Sequence, residues 1–438
     1  MTHRDAQSRQ RFCKAFPLPS KGSPEPIVAL AFDFTKEEQV ASNGERRFLA
    51  SSRRVRRGKI DHPGGREKHA YFLKLARDGL QGGVLARESS ADLSWWAPGD
   101  SDLLSTFHSR LIYSLLPCPS RNARMKYRVL GKTALKVSEV GFGAWAIGGN
   151  THGNSYGPTD DKQSLAAVET ALGVGCNFFD TADVYGHGHS EELLGQALRG
   201  HRSEIIIATK VGGDFYHGTP RMNFNSDYLE FALGKSCDRL GTDYVDLYQL
   251  HNPPVQLIKD GRVFKTLEKL KASGKIRHYG ISIHDPQEGL LAMRNSEIGA
   301  IQVVFNILRQ EAKNQLFREA AKNDVGIIAR EPLANGFLAG KLNANSTFHH
   351  GDIRHNFPSD YISQLTLAVG QLRFLESKNR TLAQAALRFV LDHKDVSTVI
   401  PGAKSPEQVD EDLATSESPS LTGEELLRIK FLRDQGFA

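Results

Sequence analysis

Tyr244-Val245-Asp246-Leu247-Tyr248-Gln249-Leu250-His251 is an apolar run of strand character that ends beside an ionisable side chain. Upstream, a helical pattern over 227–240 stops at Gly241; downstream, another over 262–273 stops at Gly274. Glycine just past the last periodic residue is a common helix stop, because it enters the left-handed conformation without a Cβ clash. The next strand pattern, 278–283, follows directly. A strand, a crossover helix and a second strand form the repeating unit of a parallel sheet.

The same alternation fills the chain from residue 139 onward. Strand patterns lie at 139–145, 176–180, 205–210, 244–250, 278–283, 300–306, 325–330 and 398–401. Helix patterns lie at 190–198, 227–240, 262–273, 286–294, 314–322, 363–377, 381–393 and 406–414, with Ser226, Asp285 and Ser405 as N-caps. Eight strands alternating with helices over about 300 residues predict an α/β fold, the (β/α)8 TIM barrel. An N-terminal β-hairpin precedes it: Met125 to Gly131 alternates, turns at Gly131-Lys132-Thr133 and resumes as Leu135-Lys136-Val137-Ser138. That hairpin is expected to plug the bottom of the barrel. An open doubly wound sheet would call for Gly-x-Gly-x-x-Gly after its first strand. Gly141-Phe142-Gly143 and Gly148-Gly149 do not supply it.

Charge divides the 438 residues unevenly. Residues 1–124 carry 21 Lys and Arg against 13 Asp and Glu, whereas the remainder carries 35 against 37. The net charge of +6 therefore belongs to the leading segment, and the barrel region offers no basic footprint for nucleic acid. The four cysteines, Cys13, Cys118, Cys176 and Cys237, have no metal-ligand spacing and form no disulfide framework, so no metal is expected and a reducing compartment fits. No apolar run approaches the ~18 residues of a membrane span, and the polar stretch Met1 to Gln10 has no signal-peptide core. These features predict a cytoplasmic protein with no membrane or nucleic-acid partner. Nothing in the sequence signals an oligomeric state.

Residues 1–124 read differently from the rest. Pro17, Pro19, Pro24 and Pro26 break the opening, Arg53 to Lys59 is a basic cluster, and glycine pairs stand at Gly64-Gly65 and Gly82-Gly83. Only Leu103 to Leu116 carries an amphipathic helix pattern. The expectation is a largely disordered extension outside the fold, with the barrel at 125–438. The alternatives are a regulatory or targeting arm, or a small helical subdomain anchored by Trp95 and Trp96.

The strand ends carry the chemistry. Phe178-Phe179-Asp180 closes one strand, and Tyr185-Gly186 follows on a loop. Ile205-Ile206-Ile207-Ala208-Thr209-Lys210 closes the next, and His251 ends the one after. In a parallel barrel this is the face where reactions occur. A free tyrosine, with a pKa of about 10, is a weak acid. A nearby Lys210 ammonium can stabilise its phenolate, Asp180 can hold Lys210, and His251 can hydrogen-bond to the same oxygen. Taken singly, each residue has a structural reading: cap, packed aromatic, solvated lysine, satisfied histidine. Together, on adjacent strands, they make a proton donor aimed at a developing alkoxide. A second stretch, Ile400-Pro401-Gly402-Ala403-Lys404-Ser405-Pro406, leads into a helix and suits an anion.

With these motifs, about two thirds of the chain, from Met125 to about Ala414, resembles the aldo-keto reductases. The likeness rests on Asp180-Thr181-Ala182 with Tyr185-Gly186, on Thr209-Lys210, and on Leu240-Gly241-Thr242-Asp243-Tyr244-Val245-Asp246-Leu247-Tyr248 with His251. It rests also on Pro332-Leu333-Ala334 with Gly336-Phe337-Leu338-Ala339-Gly340-Lys341. The resemblance implies an NADPH-dependent oxidoreductase in which Tyr185 is the general acid, Lys210 and Asp180 tune it, and His251 orients a carbonyl. It also implies a cofactor pocket. Gly143 and Trp145 would form its rim, and Ser282 and Gln302 would hold the nicotinamide carboxamide. Pro332 and Leu333 would lie near the pyrophosphate, with Gly402, Lys404, Ser405, Gln408 and Asp412 around the 2′-phosphate and adenine. Ile283 stands where the family usually has Asn, and Gln408 and Asp412 replace a common Arg and Asn. Arg330 stands where many members stack an aromatic on the nicotinamide; a guanidinium plane can also stack. Lys404 and Ser405 point to NADPH, with NADH as the alternative.

The expected activity is reduction of an aldehyde or ketone to the alcohol, with a small-molecule carbonyl as partner. A non-catalytic nicotinamide-binding regulatory subunit of the same fold is the first alternative. A lyase or aldolase using Lys210 as a Schiff base is the second. Loops 212–225, 252–261 and 342–360, with Phe215, Tyr216, Phe224, Phe348 and Phe357, are expected to wall the substrate pocket. A protein beginning at Met125 is expected to match the full chain in melting temperature and turnover. A docked subdomain would cost several kcal/mol on removal, at roughly 25 cal/mol per Å² of apolar area, so a clear drop in either quantity would refute the expectation.

Overall fold

The computed structural model describes residues 10–14, 30–40, 46–54 and 125–437. The chain divides into two units, Met1–Leu116 and Pro117–Ala438. In the first, β1 (Gln10–Lys14), β2 (Leu30–Val40) and β3 (Arg46–Arg54) form an antiparallel sheet in that order. Its register sets Phe12 opposite Phe32 and Phe34 opposite Ser52. The sequence reading expects no strand there. The signal is the alternation of Leu30, Phe32 and Phe34 with Ala31, Asp33 and Thr35, which the surrounding proline and glycine punctuation obscures. The helix pattern at Leu103 to Leu116, the two glycine pairs, Trp95 and Trp96 lie outside the described residues.

The second unit opens with the expected hairpin, β4 (Tyr127–Val129) paired antiparallel with β5 (Lys136–Ser138). The ring follows: β6 (Phe142–Gly143), β7 (Phe178–Asp180) and β8 (Ile206–Val211). A short ribbon, β9 (Gly213–Asp214) and β10 (Arg221–Met222), interrupts it. The ring resumes with β11 (Val245–His251), β12 (Ile276–Ile283), β13 (Ala300–Val304), β14 (Gly326–Arg330) and β15 (Val396–Val399). The eight strands pair in parallel in chain order. Parallel bridges from Val140 to Val399 and from Gly143 to Gly402 join the last strand to the first. That closes the barrel and removes both sheet edges.

Around it lie α1 (Asp161–Gly173), α2 (His189–Ala197), α3 (Ser226–Leu240), α4 (Val255–Asp260), α5 (Arg262–Ala272) and α6 (Pro286–Ala292). After them come α7 (Leu316–Lys322), α8 (Ser359–Gln371), α9 (Leu382–Leu391), α10 (Pro406–Leu413) and α11 (Gly423–Asp434). Three of these, α1, α4 and α11, are absent from the sequence reading. The buried stripe of α1 is Ser164, Ala167, Val168 and Ala171, side chains too small to give a strong helical period. The N-cap of α3 is Asn225, not Ser226, which is the first helical residue. Asp285 forms a full capping box, and Ser405 caps α10 with Pro406 at its first position.

Two cores result. The larger lies between strands and helices. The smaller fills the barrel with Phe178, Ile206, Ala208, Leu247, Ala300, Ile328 and Ile400, and Leu130 and Val137 of the hairpin join it from below. The plug is fastened by Glu139, 2% exposed, whose carboxylate accepts from Arg128 at 2.8 and 3.1 Å and from Ser416 at 3.0 Å. Arg128 also donates to the carbonyls of Leu391 and Val396, and Arg388 faces the same carboxylate at 3.4 Å. Among the described residues no helix is long and apolar enough to cross a membrane, and no group of His, Cys, Asp and Glu is arranged to hold a metal ion. Glu139→Ala leaves two guanidinium groups short of their shared anion. Breaking a buried pair costs roughly 3–5 kcal/mol. Arg388 keeps Asp392 at 3.0 Å, so a loss near the lower end is expected, read as a fall in the urea midpoint.

Candidate active site

Asp180 ends β7, Lys210 lies near the end of β8 and His251 ends β11, so all three stand at the C-terminal mouth of the barrel. Tyr185 follows β7 on a tight turn. Gly186 holds that turn at φ +62°, and a Cβ there would lie 2.1 Å from the Gly148 carbonyl oxygen. Only glycine lets the tyrosine turn close against the segment after β6.

Lys210 is fully buried, and its ammonium donates to Asp180 Oδ1, to the Thr181 carbonyl at 3.0 Å and to the Tyr185 hydroxyl at 3.0 Å. Its three N–H groups are thus matched to three acceptors. Burial works against the cation, but Asp180 and Tyr185 outweigh it, and the lysine pKa lies above its usual 10.5. Tyr185 behaves differently from the simplest expectation. Burial lifts its pKa above the usual 10.0, and the downward pull of Lys210 does not cancel that lift. The hydroxyl therefore keeps its proton at neutral pH. Burial, then Lys210 and Arg330, then His284, hold His251 well below 6.5, so its imidazole is neutral. The contact recorded between His251 and Tyr185 is edge-to-face, with ring centroids 5.8 Å apart, rather than a hydrogen bond.

The second oxygen of Asp180 has its own partners. Gln302 donates to Asp180 Oδ2 at 2.7 Å and Gln249 donates to it at 3.1 Å. Gln302 lines the cavity, and its amide nitrogen turns inward to the carboxylate and to Gln249 Oε1 at 3.2 Å. Gln249 is absent from the sequence reading. Its signal is a polar residue in register with Leu247 on a strand whose inward positions read as apolar.

These residues open into a cavity of about 610 Å³. Asp180, Tyr185, His251, Gly143, Trp145, Ser282, Gln302, Arg330, Pro332, Leu333, Gly402, Lys404, Gln408 and Asp412 all line it. Lys210 lies beneath it. Ser405 does not line it, because its hydroxyl accepts from the Gln408 N–H as the cap of α10. Arg330 is pinned at one end: it pairs with Glu331 and reaches the Ile283 carbonyl and His284 Nδ1, each at 3.0 Å. Its Nε and Asn252 Oδ1 are buried without partners, and both residues line the cavity. Asp412, 4% exposed, also lines it; burial and neighbouring Glu411 push its pKa well above the usual carboxylate value. Buried polar atoms in want of partners suit a large polar ligand such as a nicotinamide dinucleotide.

At the far end Lys404 is engaged. Its ammonium donates to the carbonyls of Tyr156 at 2.6 Å, Pro158 at 3.2 Å and Gly157 at 3.5 Å. Burial, then Arg354, lower its pKa. The Tyr156 hydroxyl donates to Asn335, and the Trp145 indole donates to the Asn154 carbonyl, both at 2.8 Å. Segment 154–158 is thereby tied both to the loop after β14 and to the loop after β15. The loop aromatics do not wall the cavity as expected. Phe215 stacks between His187 and Tyr216, while Phe224, Phe348 and Phe357 pack onto the main core. Tyr156, Glu331, Leu342 and Arg354 take their place in the lining.

Residues 139–434 match the model of the aldo/keto reductase family. The chain is 30% identical over 297 residues to aldo-keto reductase YhdN of Bacillus subtilis, covering 65% of this chain and 87% of that protein. It is 29% identical over 290 residues to aldo-keto reductase yakc of Schizosaccharomyces pombe, whose name specifies NADP(+), covering 63% and 82%. The NADH-specific methylglyoxal reductase of Escherichia coli is 29% identical over 307 residues, covering 66% and 93%. Among solved structures, the holo form of aldo-keto reductase AKR11C1 from Bacillus halodurans matches with a TM-score of 0.60 at 32% identity, covering 70% and 96%.

Proposed function

This chain belongs to the aldo/keto reductase family, the NAD(P)H-dependent oxidoreductases of carbonyl compounds, and on that premise we propose that Tyr185 is its proton donor in the reduction of an aldehyde or ketone to the alcohol. The observation that carries the reading is the hydrogen-bonded chain from Asp180 through the Lys210 ammonium to the Tyr185 hydroxyl, opening beside His251 into the cavity. When bound, the reduced cofactor supplies the hydride.

The side chains have separate tasks. Burial keeps Tyr185 protonated, so the donor is loaded at neutral pH. Once the proton leaves for the substrate oxygen, Lys210 at 3.0 Å stabilises the phenolate. Asp180 keeps Lys210 charged and aimed. His251, held neutral, can donate a hydrogen bond to the carbonyl without adding charge. Ser282, Gln302 and Arg330 would hold the nicotinamide end of the cofactor, with Gly143 and Trp145 at the rim. Pro332 and Leu333 would lie along the middle, and Gly402, Lys404, Gln408 and Asp412 would hold the adenosine end. Ser405 contributes by capping α10.

NADPH is the cofactor this reading favours, on the strength of Lys404, and NADH is the alternative. The balance is fine, because Lys404 already serves three carbonyls and the neutralising Arg found elsewhere is Gln408. A non-catalytic, cofactor-sensing role would use the same pocket without turnover. A panel of aldehydes and ketones with each cofactor decides between the two.

Tyr185→Phe is expected to lower kcat by at least ~10²-fold, since general acid catalysis is typically worth 10²–10⁴, while cofactor binding stays close to that of the parent protein. A variant retaining more than about a tenth of kcat on a good substrate overturns the assignment. Lys404→Ala is expected to weaken NADPH more than NADH, by roughly tenfold or more for a charge-assisted contact. Fluorescence titration of both cofactors measures it, and an equal loss for the two means that Lys404 does not read the phosphate.

A further inference from the structure

The tyrosine, lysine, aspartate and histidine leave one part of the site unexplained: two carboxamides buried beneath it. Asp180, Gln249 and Gln302 are 2%, 0% and 1% exposed. They come from β7, β11 and β13, the second, fourth and sixth strands of the ring. Alternate strands of such a barrel contribute one interior layer, and bulky branched apolar residues usually fill it. Two residues earlier on the same three strands that rule holds, with Phe178, Leu247 and Ala300 packed together. The interior turns polar at the level of Asp180 and nowhere lower on these strands.

A buried carboxamide needs partners to offset its desolvation, and a leucine at 249 would fill the space without that cost. What the amide adds is direction. Gln302 Nε2 bonds both to Asp180 Oδ2 at 2.7 Å and to Gln249 Oε1 at 3.2 Å, and Gln249 Nε2 reaches the same Oδ2 at 3.1 Å. The three side chains close a ring of hydrogen bonds around one carboxylate oxygen. The other oxygen is left to Lys210, whose residue pairs with Gln249 in the register of β8 and β11.

We propose that Gln249 is a positioning residue of this reaction: with Gln302 it clamps Asp180, keeps one carboxylate oxygen turned to Lys210, and so sets the acidity of Tyr185. The inference rests on the assignment of Tyr185 as the acid. The charged and titratable groups that face this cluster are Lys210 from β8, Tyr185 from the turn after β7, His251 from the end of β11 and Arg330 from β14. Lys210 lowers the tyrosine pKa and the Asp180 charge raises it. Removing an amide donor leaves that charge less screened and its aim at Lys210 looser. The less screened charge moves the tyrosine pKa upward, and so does drift of the loosened Lys210 from the Tyr185 hydroxyl.

Three full-length variants test this: Gln249→Leu, Gln249→Glu and Tyr185→Phe. For each, kcat and KM for carbonyl reduction are measured across pH, with cofactor affinity by fluorescence and the melting temperature beside them. Gln249→Leu should lose about ten- to a hundredfold in kcat, the order of cost when a catalytic group is left about 1 Å off its geometry, with cofactor affinity held within about twofold. Its alkaline limb, where the proton donor is lost, should move up by about half a pH unit or more. Gln249→Glu gives a sharper signature. Protonated, its carboxyl has the shape of the amide and can donate to Asp180; ionised, it repels Asp180. Its kcat should therefore approach that of the parent protein at low pH and fall towards the Gln249→Leu level as pH rises. Neither the parent nor Gln249→Leu should show that limb. If Gln249→Leu fails to fold, Gln249→Glu carries the test alone. An unchanged kcat and alkaline limb in Gln249→Leu, or a pH-independent loss in Gln249→Glu, overturns the positioning role and leaves a packing role. An active Tyr185→Phe overturns instead the acid assignment beneath it.

Discussion

A lysine ammonium with no access to water governs this site. Lys210 is buried under the cavity, where a lone cation would be expelled or neutralised. It survives because the barrel brings three oxygens to it: a carboxylate from the preceding strand, the carbonyl after that strand, and a phenol from the following turn. Each acceptor depends on a different piece of backbone. The closed ring fixes the strand spacing, the Gly186 turn fixes the phenol, and the amides of Gln249 and Gln302 fix the carboxylate. Burial of Tyr185 follows from the same geometry and keeps its proton in place.

The cavity is electrically divided along its length. Near the tyrosine, the cations are locked into pairs, Lys210 with Asp180 and Arg330 with Glu331, and the histidine is neutral. At the other end Lys341 is paired with Glu411 at 2.9 Å, Arg354 with Asp352 at 2.7 Å, and Lys404 with backbone carbonyls. Among the described residues these three cations all have partners at that end, so under the proposed reading Lys404 would have to exchange carbonyls for phosphate. Those carbonyls belong to the segment that carries Tyr156, so the same lysine bears on the cavity lining as well.

Much of the fold was legible in local pattern. Seven of the eight ring strands lie within a few residues of their expected limits, because each is a mostly buried run rich in apolar residues. The first is shorter than expected: β6 ends at Gly143, and Trp145 falls in the turn that follows. Helix α1 is hard to read in the sequence because its buried face is made of two alanines, a serine and a single valine. Helix α11 was missed because apolar residues surround it, with Ile429 buried while Leu427 and Phe431 are exposed. The pocket aromatics were misjudged for a related reason. Phe215 and Phe348 sit on loops, but Phe215 stacks on His187, Phe348 packs under the Arg354 guanidinium, and neither lines the cavity.

The sequence by itself determined the alternation of strands and helices, the hairpin plug and the ionisable residues at the strand ends. Those follow from periodicity and residue chemistry, which act over a few positions. Only the tertiary structure decided which oxygen of Asp180 meets Lys210, that Gln249 and Gln302 hold the other, and that Lys404 holds a loop some 250 residues away in sequence. These pairings depend on barrel closure and on the layering of alternate strands. Linear spacing does not encode a contact between the second, fourth and sixth strands of a ring.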